Sequence, residues 1–159
     1  MVRRSTHAHT SNMSNNASSR TIVITGGLGN LGSKLCHHLL SSSHNNYKVI
    51  LIEHPNFINP TKPLPHPSAT VLPCDLGNPT NEQRTELKTA LDGADTLIHF
   101  SAVNPYPNAT WSESAQSMDH VFYIFQLAVM CKGVYLCVYE ILIWFSIQLG
   151  KLCCVLLCM

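Results

Sequence analysis

The sequence predicts an α/β fold, a doubly wound parallel sheet. Three observations carry this reading. Short β-branched runs alternate with helix-spaced segments over residues 21–131, one of those runs is apolar on both faces, and a glycine-rich turn joins the first strand to the first helix. Strands that alternate with helices imply right-handed crossovers, and therefore parallel strands.

Taken in order, Thr21–Thr25 (TIVIT) is a β-branched strand that ends in glycines. Leu31–Leu40 follows as a helix, with Leu31, Leu35 and Leu39 at helical spacing. Tyr47–Glu53 (YKVILIE) is a continuous apolar run of strand length, as a strand buried on both faces requires. Pro55–Pro67 holds five prolines and reads as loop. Thr70–Cys74 is a short third strand, and Glu82–Leu91 a helix whose Glu82, Glu86 and Lys88 form a solvated face. Asp95–Ser101 (DTLIHFS) is a fourth strand. Residues 113–131 are helical again, with Met118, Val121, Phe122, Phe125 and Val129 as the expected buried stripe.

Composition divides the chain of 159 residues into three zones. Residues 1–20 are rich in Ser, Asn and Thr, hold Arg3, Arg4 and Arg20, and have no acid. Such a stretch buries too little apolar surface to offset the entropy of ordering, so a disordered tail is expected. It has no apolar h-region for secretion, while its Arg-rich, acid-free character also suits an organelle transit peptide. Residues 21–132 form the folded unit. Residues 133–159 are an almost wholly apolar tail in which only Glu140 and Lys151 are charged.

Ten Lys/Arg against nine Asp/Glu give a net charge of +1, which supplies no basic face for nucleic acid. The seven cysteines are odd in number and unevenly spaced, five of them within residues 131–158. That pattern argues against a disulfide scaffold and for a reducing compartment, so a cytoplasmic protein is expected, with organelle targeting or membrane association as alternatives. No C-x-x-C pair occurs, and His7 with His9 makes a poor metal site, so no metal is expected. Cys36 and Cys74 read as small core residues.

The chemistry concentrates in Gly26, Gly27, Leu28, Gly29, Asn30, Leu31 and Gly32. A lone G-x-G-x-x-G is weak evidence, but this one follows a strand and opens a helix, the context its mechanism needs. A pyrophosphate there meets unpaired N–H donors and the positive end of the helix dipole. A Cβ at the middle glycine would hold the phosphate off, and the last glycine lets helix and strand pack closely. Glu53 ends the second strand about 20 residues on, where a carboxylate accepts hydrogen bonds from the adenosine ribose. The same carboxylate repels a 2′-phosphate, and His54 follows it rather than Arg or Lys, so NAD is expected over NADP. An ATPase-type phosphate loop needs Lys directly after its last glycine; Gly32-Ser33-Lys34 has the wrong order.

These residues resemble the extended short-chain dehydrogenase/reductases, the NAD-dependent epimerase/dehydratase family. Thr25-Gly26-x-x-Gly29-x-x-Gly32 matches its T-G-x-x-G-x-x-G loop. Asp75-Leu76 resembles its D-L pair, whose carboxylate contacts the adenine amino group, and His99-Phe100-Ser101-Ala102 resembles its H-L-A-A segment, which lines the ribose side of the cofactor. Asn104-Pro105 through Trp111, with Ser117-Met118-Asp119, looks most like the uronate dehydrogenase-like branch. The resemblance covers roughly residues 20–131 and implies a Rossmann-like domain, an NAD cofactor and hydride transfer on a sugar or sugar acid. Three residues keep plainer readings beside it. Asp75 caps the turn before Asn78-Pro79, His99 is a satisfied core histidine, and Trp111 covers the sheet edge.

The family's chemistry uses a Tyr phenolate stabilised by a Lys four residues later, with a Ser or Thr after the fifth strand. No Tyr-x-x-x-Lys occurs in the chain, because Lys34, Lys48, Lys62, Lys88, Lys132 and Lys151 have Asn30, His44, Ile58, Arg84, Ala128 and Ile147 at minus four. Gly133–Tyr139 suits the fifth strand, but Glu140-Ile141-Leu142-Ile143-Trp144 then stands where small residues and the Ser belong. The expected sheet is accordingly the N-terminal half of the family's fold. Three readings fit the tail: a truncated or misread C-terminus, such as translation through a splice junction; a membrane anchor within residues 134–158; or a buried strand and helix of an intact small domain. A spanning segment needs ~20 apolar residues, and Glu140 inside one costs on the order of 3 kcal/mol. The functional expectation is an NAD(P)-binding half-domain without catalytic residues. The alternative is a non-catalytic nucleotide-binding or membrane-tail-anchored fragment.

Overall fold

The computed structural model describes residues 19–43, 46–102, 110–131 and 135–138. Within them β1 (Arg20–Thr25), α1 (Asn30–Ser41), β2 (Tyr47–Glu53), β3 (Thr70–Pro73), α2 (Asn81–Asp92), β4 (Thr96–His99), α3 (Trp111–Met130) and β5 (Tyr135–Val138) follow one another. The strands make one parallel sheet in the order β3-β2-β1-β4-β5. Every strand expected from the sequence is present, including one drawn from Gly133–Tyr139. The predicted loop Pro55–Pro67 holds a single 3-10 turn, Pro55–Phe57. β5, from the residues after 132, pairs with β4 and completes the sheet.

Period-two alternation sends the strand side chains to two helical layers. Ile22, Ile24, Val49 and Leu51 pack with Cys36 of α1 on one face. Val23, Ile50, Ile52 and Leu97 pack with Leu87, Leu91, Ile124 and Ala128 of α2 and α3 on the other. β2 is buried along five consecutive residues, which is why its sequence reads as one apolar run. Thr80 starts α2 with a capping box, its side chain accepting from Gln83 N while Gln83 reaches back to Thr80 N. Glu82, Glu86 and Lys88 are exposed, as expected. Cys36 and Cys74 are core residues, and burial raises both thiols, Cys74 to about 11.

Two helix faces depart from the expected stripes. On α3, Met118, Phe122 and Val129 are exposed, Phe125 is half-buried and only Val121 is buried; Ser117, Val121, Ile124, Ala128 and Cys131 face the sheet. Ser117 and Ala128 are part of the sheet-facing side while the bulkier Met118, Phe122 and Val129 lie off it, so hydropathy alone placed the stripe about one position out of phase. On α1, Leu31 is 48% exposed while Gly32 and Cys36 are buried, with Leu35 and Leu39 at the margin. The reason is the same: the side that lies closest to the sheet has room only for small residues. Trp111, expected over the sheet edge, is 88% exposed.

From β1 the chain builds β2 and β3 to one side, then returns to place β4 and β5 on the other. α1, which follows β1, and α3, which follows β4, pack on opposite faces, the arrangement that in open α/β sheets places a ligand crevice at the carboxyl ends of such strands.

Candidate dinucleotide-binding site

The glycine turn lies at that crevice and is shaped by close backbone contact. Gly26 has φ +64°, the left-handed region, and a Cβ on it would lie 3.0 Å from the Phe100 carbonyl carbon and the Ser101 nitrogen. A Cβ on Gly32 would lie 2.4 Å from the Gly26 oxygen, so the first turn of α1 closes onto the loop only because that atom is missing. Gly27 is buried against Leu51, while Leu28 is half-buried. Gly29, Asn30 and Leu31 are exposed at the start of α1. A Cβ on Gly29 would meet only the Gly26 oxygen, at 3.1 Å. Gly29 is the N-cap and supplies no side chain, so no side chain caps the first N–H groups of α1. An open cradle floored by helix N–H donors suits a pyrophosphate.

Glu53 is 8% exposed at the end of β2, and both of its oxygens are engaged. Leu28 N donates to Oε2 and His54 N to Oε1, each at 3.0 Å. The carboxylate that the sequence placed at the ribose position thus also braces the glycine loop. Asp75 is half-buried beyond β3 and caps its own turn, Oδ1 accepting from Gly77 N at 2.9 Å and Asn78 N at 3.2 Å. Its other oxygen faces His54 Nε2 at 3.6 Å, while His54 Nδ1 accepts from Asn56 N at 3.1 Å. Leu76 is buried in the core under α2 and α3. Ser101 is half-buried, its backbone packed directly against Gly26, and Ala102 is exposed. The structure thus brings the loop, Glu53, Asp75 and the Ser101–Ala102 segment to one edge of the sheet.

Two contacts escaped the sequence reading. Thr25 Oγ1 and His99 Nδ1 share a buried hydrogen bond of 2.6 Å, and Ser101 N donates to the same oxygen at 3.4 Å. His99 is therefore buried as expected but only half satisfied, because its Nε2 has no partner among the described residues. Burial, then the nearby His120, pulls the ring's pKa down to about 4. The signal was available: Val23/Thr25 and Leu97/His99 alternate onto the same face, and Thr25 pairs with His99 in register. The second contact is His120, which crowds Gly77; a Cβ there would lie 2.7 Å from His120 Nε2. Nothing local in the sequence marks that pairing. Asn104 to Asn108, used for the finer branch resemblance, lie outside the described residues.

The NAD dependent epimerase/dehydratase family model matches residues 22–133. The chain belongs to this family. Solved structures agree on the fold. The Bordetella bronchiseptica enzyme WbmG in complex with NAD is 22% identical at TM-score 0.60, over 80% of this chain and 39% of that one. Helicobacter pylori ADP-L-glycero-D-manno-heptose-6-epimerase is also 22% identical at 0.60, over 77% and 39%. UDP-glucuronic acid 4-epimerase from Bacillus cereus, in complex with NAD, is 21% identical at 0.55, over 76% and 39%. No curated protein matches the chain. The chain thus spans about two fifths of the length of these solved relatives. No helix among the described residues is long and apolar enough to cross a membrane.

Proposed function

We propose that the chain is the cofactor-binding part of an NAD-dependent epimerase or dehydrogenase acting on a sugar or sugar acid, of uronate type, and that it holds NAD without turning over substrate. The observation that carries the reading is the open cradle at Gly29, where the N-cap of α1 supplies no side-chain cap, with the Glu53 carboxylate bonded to the adjoining Leu28 N. Gly26, Gly27, Leu28, Gly29, Asn30, Leu31 and Gly32 would hold the pyrophosphate, Glu53 the adenosine ribose, Asp75 and Leu76 the adenine end, and Ser101 and Ala102 the second ribose. When bound, NAD supplies the hydride acceptor. Glu53 disfavours a 2′-phosphate by charge, and the residue after it is His54 rather than an Arg or Lys that would pair with one. Proton transfer has no donor or acceptor among these residues, since the sequence has no Tyr-x-x-x-Lys pair.

Support for the sugar reading comes from the neighbours named for sugar nucleotides, the Helicobacter pylori heptose epimerase and the Bacillus cereus UDP-glucuronic acid 4-epimerase. The test is titration calorimetry of the full chain with NAD and ADP-ribose, together with NADH absorbance over a panel of uronates. Similar, weak affinities and no turnover are expected. Steady NADH formation would refute the inactive half of the proposal, and failure to bind either ligand would refute the cofactor half.

A further inference from the structure

At the switch point two backbones meet with no room for a side chain, Gly26 on one and Phe100–Ser101 on the other. Beneath that seam lie Thr25 and His99, the last residues of β1 and β4 and partners in register. The Thr25 backbone oxygen accepts from Phe100 N at 3.1 Å, and its hydroxyl oxygen takes Ser101 N at 3.4 Å. One threonine thus holds two successive amides of the segment that faces the glycine loop. That hydroxyl is in turn fixed by His99 Nδ1 at 2.6 Å, with His99 only 1% exposed.

We propose that His99 is a positioning residue of the dinucleotide site: by fixing the Thr25 hydroxyl it sets the Ser101–Ala102 backbone against the glycine loop. The inference rests on the cofactor reading above. It differs from a plain core role in what it predicts for ligands. The adenosine end of the site, built on Glu53 and Asp75, stands on β2 and β3, away from the seam. Loss of the Thr25–His99 bond therefore weakens a ligand that crosses the switch point and spares one that stops short of it. The bond is buried and neutral, and losing one such bond corresponds to about a five- to tenfold change in an equilibrium constant. An Asn side chain offers an amide at the position of the imidazole Nδ1, and Ser keeps the hydroxyl of Thr.

The experiment titrates NAD and AMP into the full chain, its Thr25→Val and His99→Leu variants, and the conservative Thr25→Ser and His99→Asn pair. Amide hydrogen exchange of unliganded protein is followed alongside. NAD affinity is expected to fall about five- to tenfold in Thr25→Val and His99→Leu while AMP affinity holds. Exchange should quicken at residues 100–102 but not in β2 or α2, and Thr25→Ser and His99→Asn should stay near wild type. If NAD and AMP weaken in parallel, or exchange quickens throughout the sheet, His99 is a core residue only and the proposal is wrong. If wild type binds AMP and NAD and no variant alters either, the proposal also fails while the cofactor reading stands. Absence of any binding by wild type overturns both.

Discussion

Lowering the pH should destabilise this fold through His99. The ring is buried at the end of β4, and burial with the neighbouring His120 takes its pKa from 6.5 to about 4. The unfolded chain accepts a proton near pH 6.5, whereas the folded state resists it until about pH 4. Unfolding therefore takes up a proton across that window. The contribution of the neutral ring is fully present above about pH 6.5 and is lost as the pH falls toward 4. At about 1.4 kcal/mol per pH unit the whole window is worth about 3 kcal/mol, and the step from pH 7 to 5 about 2 kcal/mol. Against a typical total of about 5–15 kcal/mol this is a large fraction. His120, whose pKa burial also lowers, adds in the same direction. The assay is urea unfolding of the full chain at pH 7 and pH 5, beside His99→Asn, which keeps a hydrogen-bonding group for Thr25. Wild type should lose about 2 kcal/mol between the two conditions and the variant clearly less. An equal loss in both proteins would show that the acid sensitivity lies elsewhere.

Further outcomes follow from the loop and the sheet. Gly32→Ala should cost about 1–3 kcal/mol in a melting experiment, because its Cβ would lie 2.4 Å from the Gly26 oxygen and backbone must move; an unchanged melt would refute that packing. Glu53→Ala should loosen residues 27–29, seen as faster amide exchange, and narrow the preference for NAD over NADP in parallel titrations; unchanged exchange would mean that the carboxylate does not brace the loop. A chain ending at Tyr139 keeps β5 and drops most of the apolar run 134–147, a stretch of high β-propensity and little charge. Expressed beside the full chain without detergent, it should give the larger soluble fraction. The opposite result would place the later residues in the core.

The strands were legible because β-branched runs and burial on both faces leave a strong signal, as in Tyr47–Glu53. The glycine turn was legible because its spacing is tied to steric demands that Gly26 and Gly32 both show in the structure. Helix orientation was not. On the buried sides of α1 and α3, small residues such as Gly32, Cys36, Ser117 and Ala128 stand where larger ones would not fit, while the bulkier Leu31, Phe122 and Val129 face out, so bulk and hydropathy together mispoint the buried side. Glu53 was found at its position but not in its second task, since a hydrogen bond from Leu28 N depends on how the loop folds back over β2. The Thr25–His99 bond joins residues 74 apart and needs the register of β1 with β4 before it can be seen.

The most direct test of the account is an NAD titration of the wild-type chain against Gly29→Ala. A Cβ at residue 29 meets little of the protein, only the Gly26 oxygen at 3.1 Å, yet it stands in the cradle at the start of α1. Wild type should bind NAD saturably and Gly29→Ala at least about tenfold more weakly, with the two proteins melting within about 1 kcal/mol of each other. Equal affinity for NAD in both proteins, or no binding in wild type, would contradict the assignment of this loop as the pyrophosphate site.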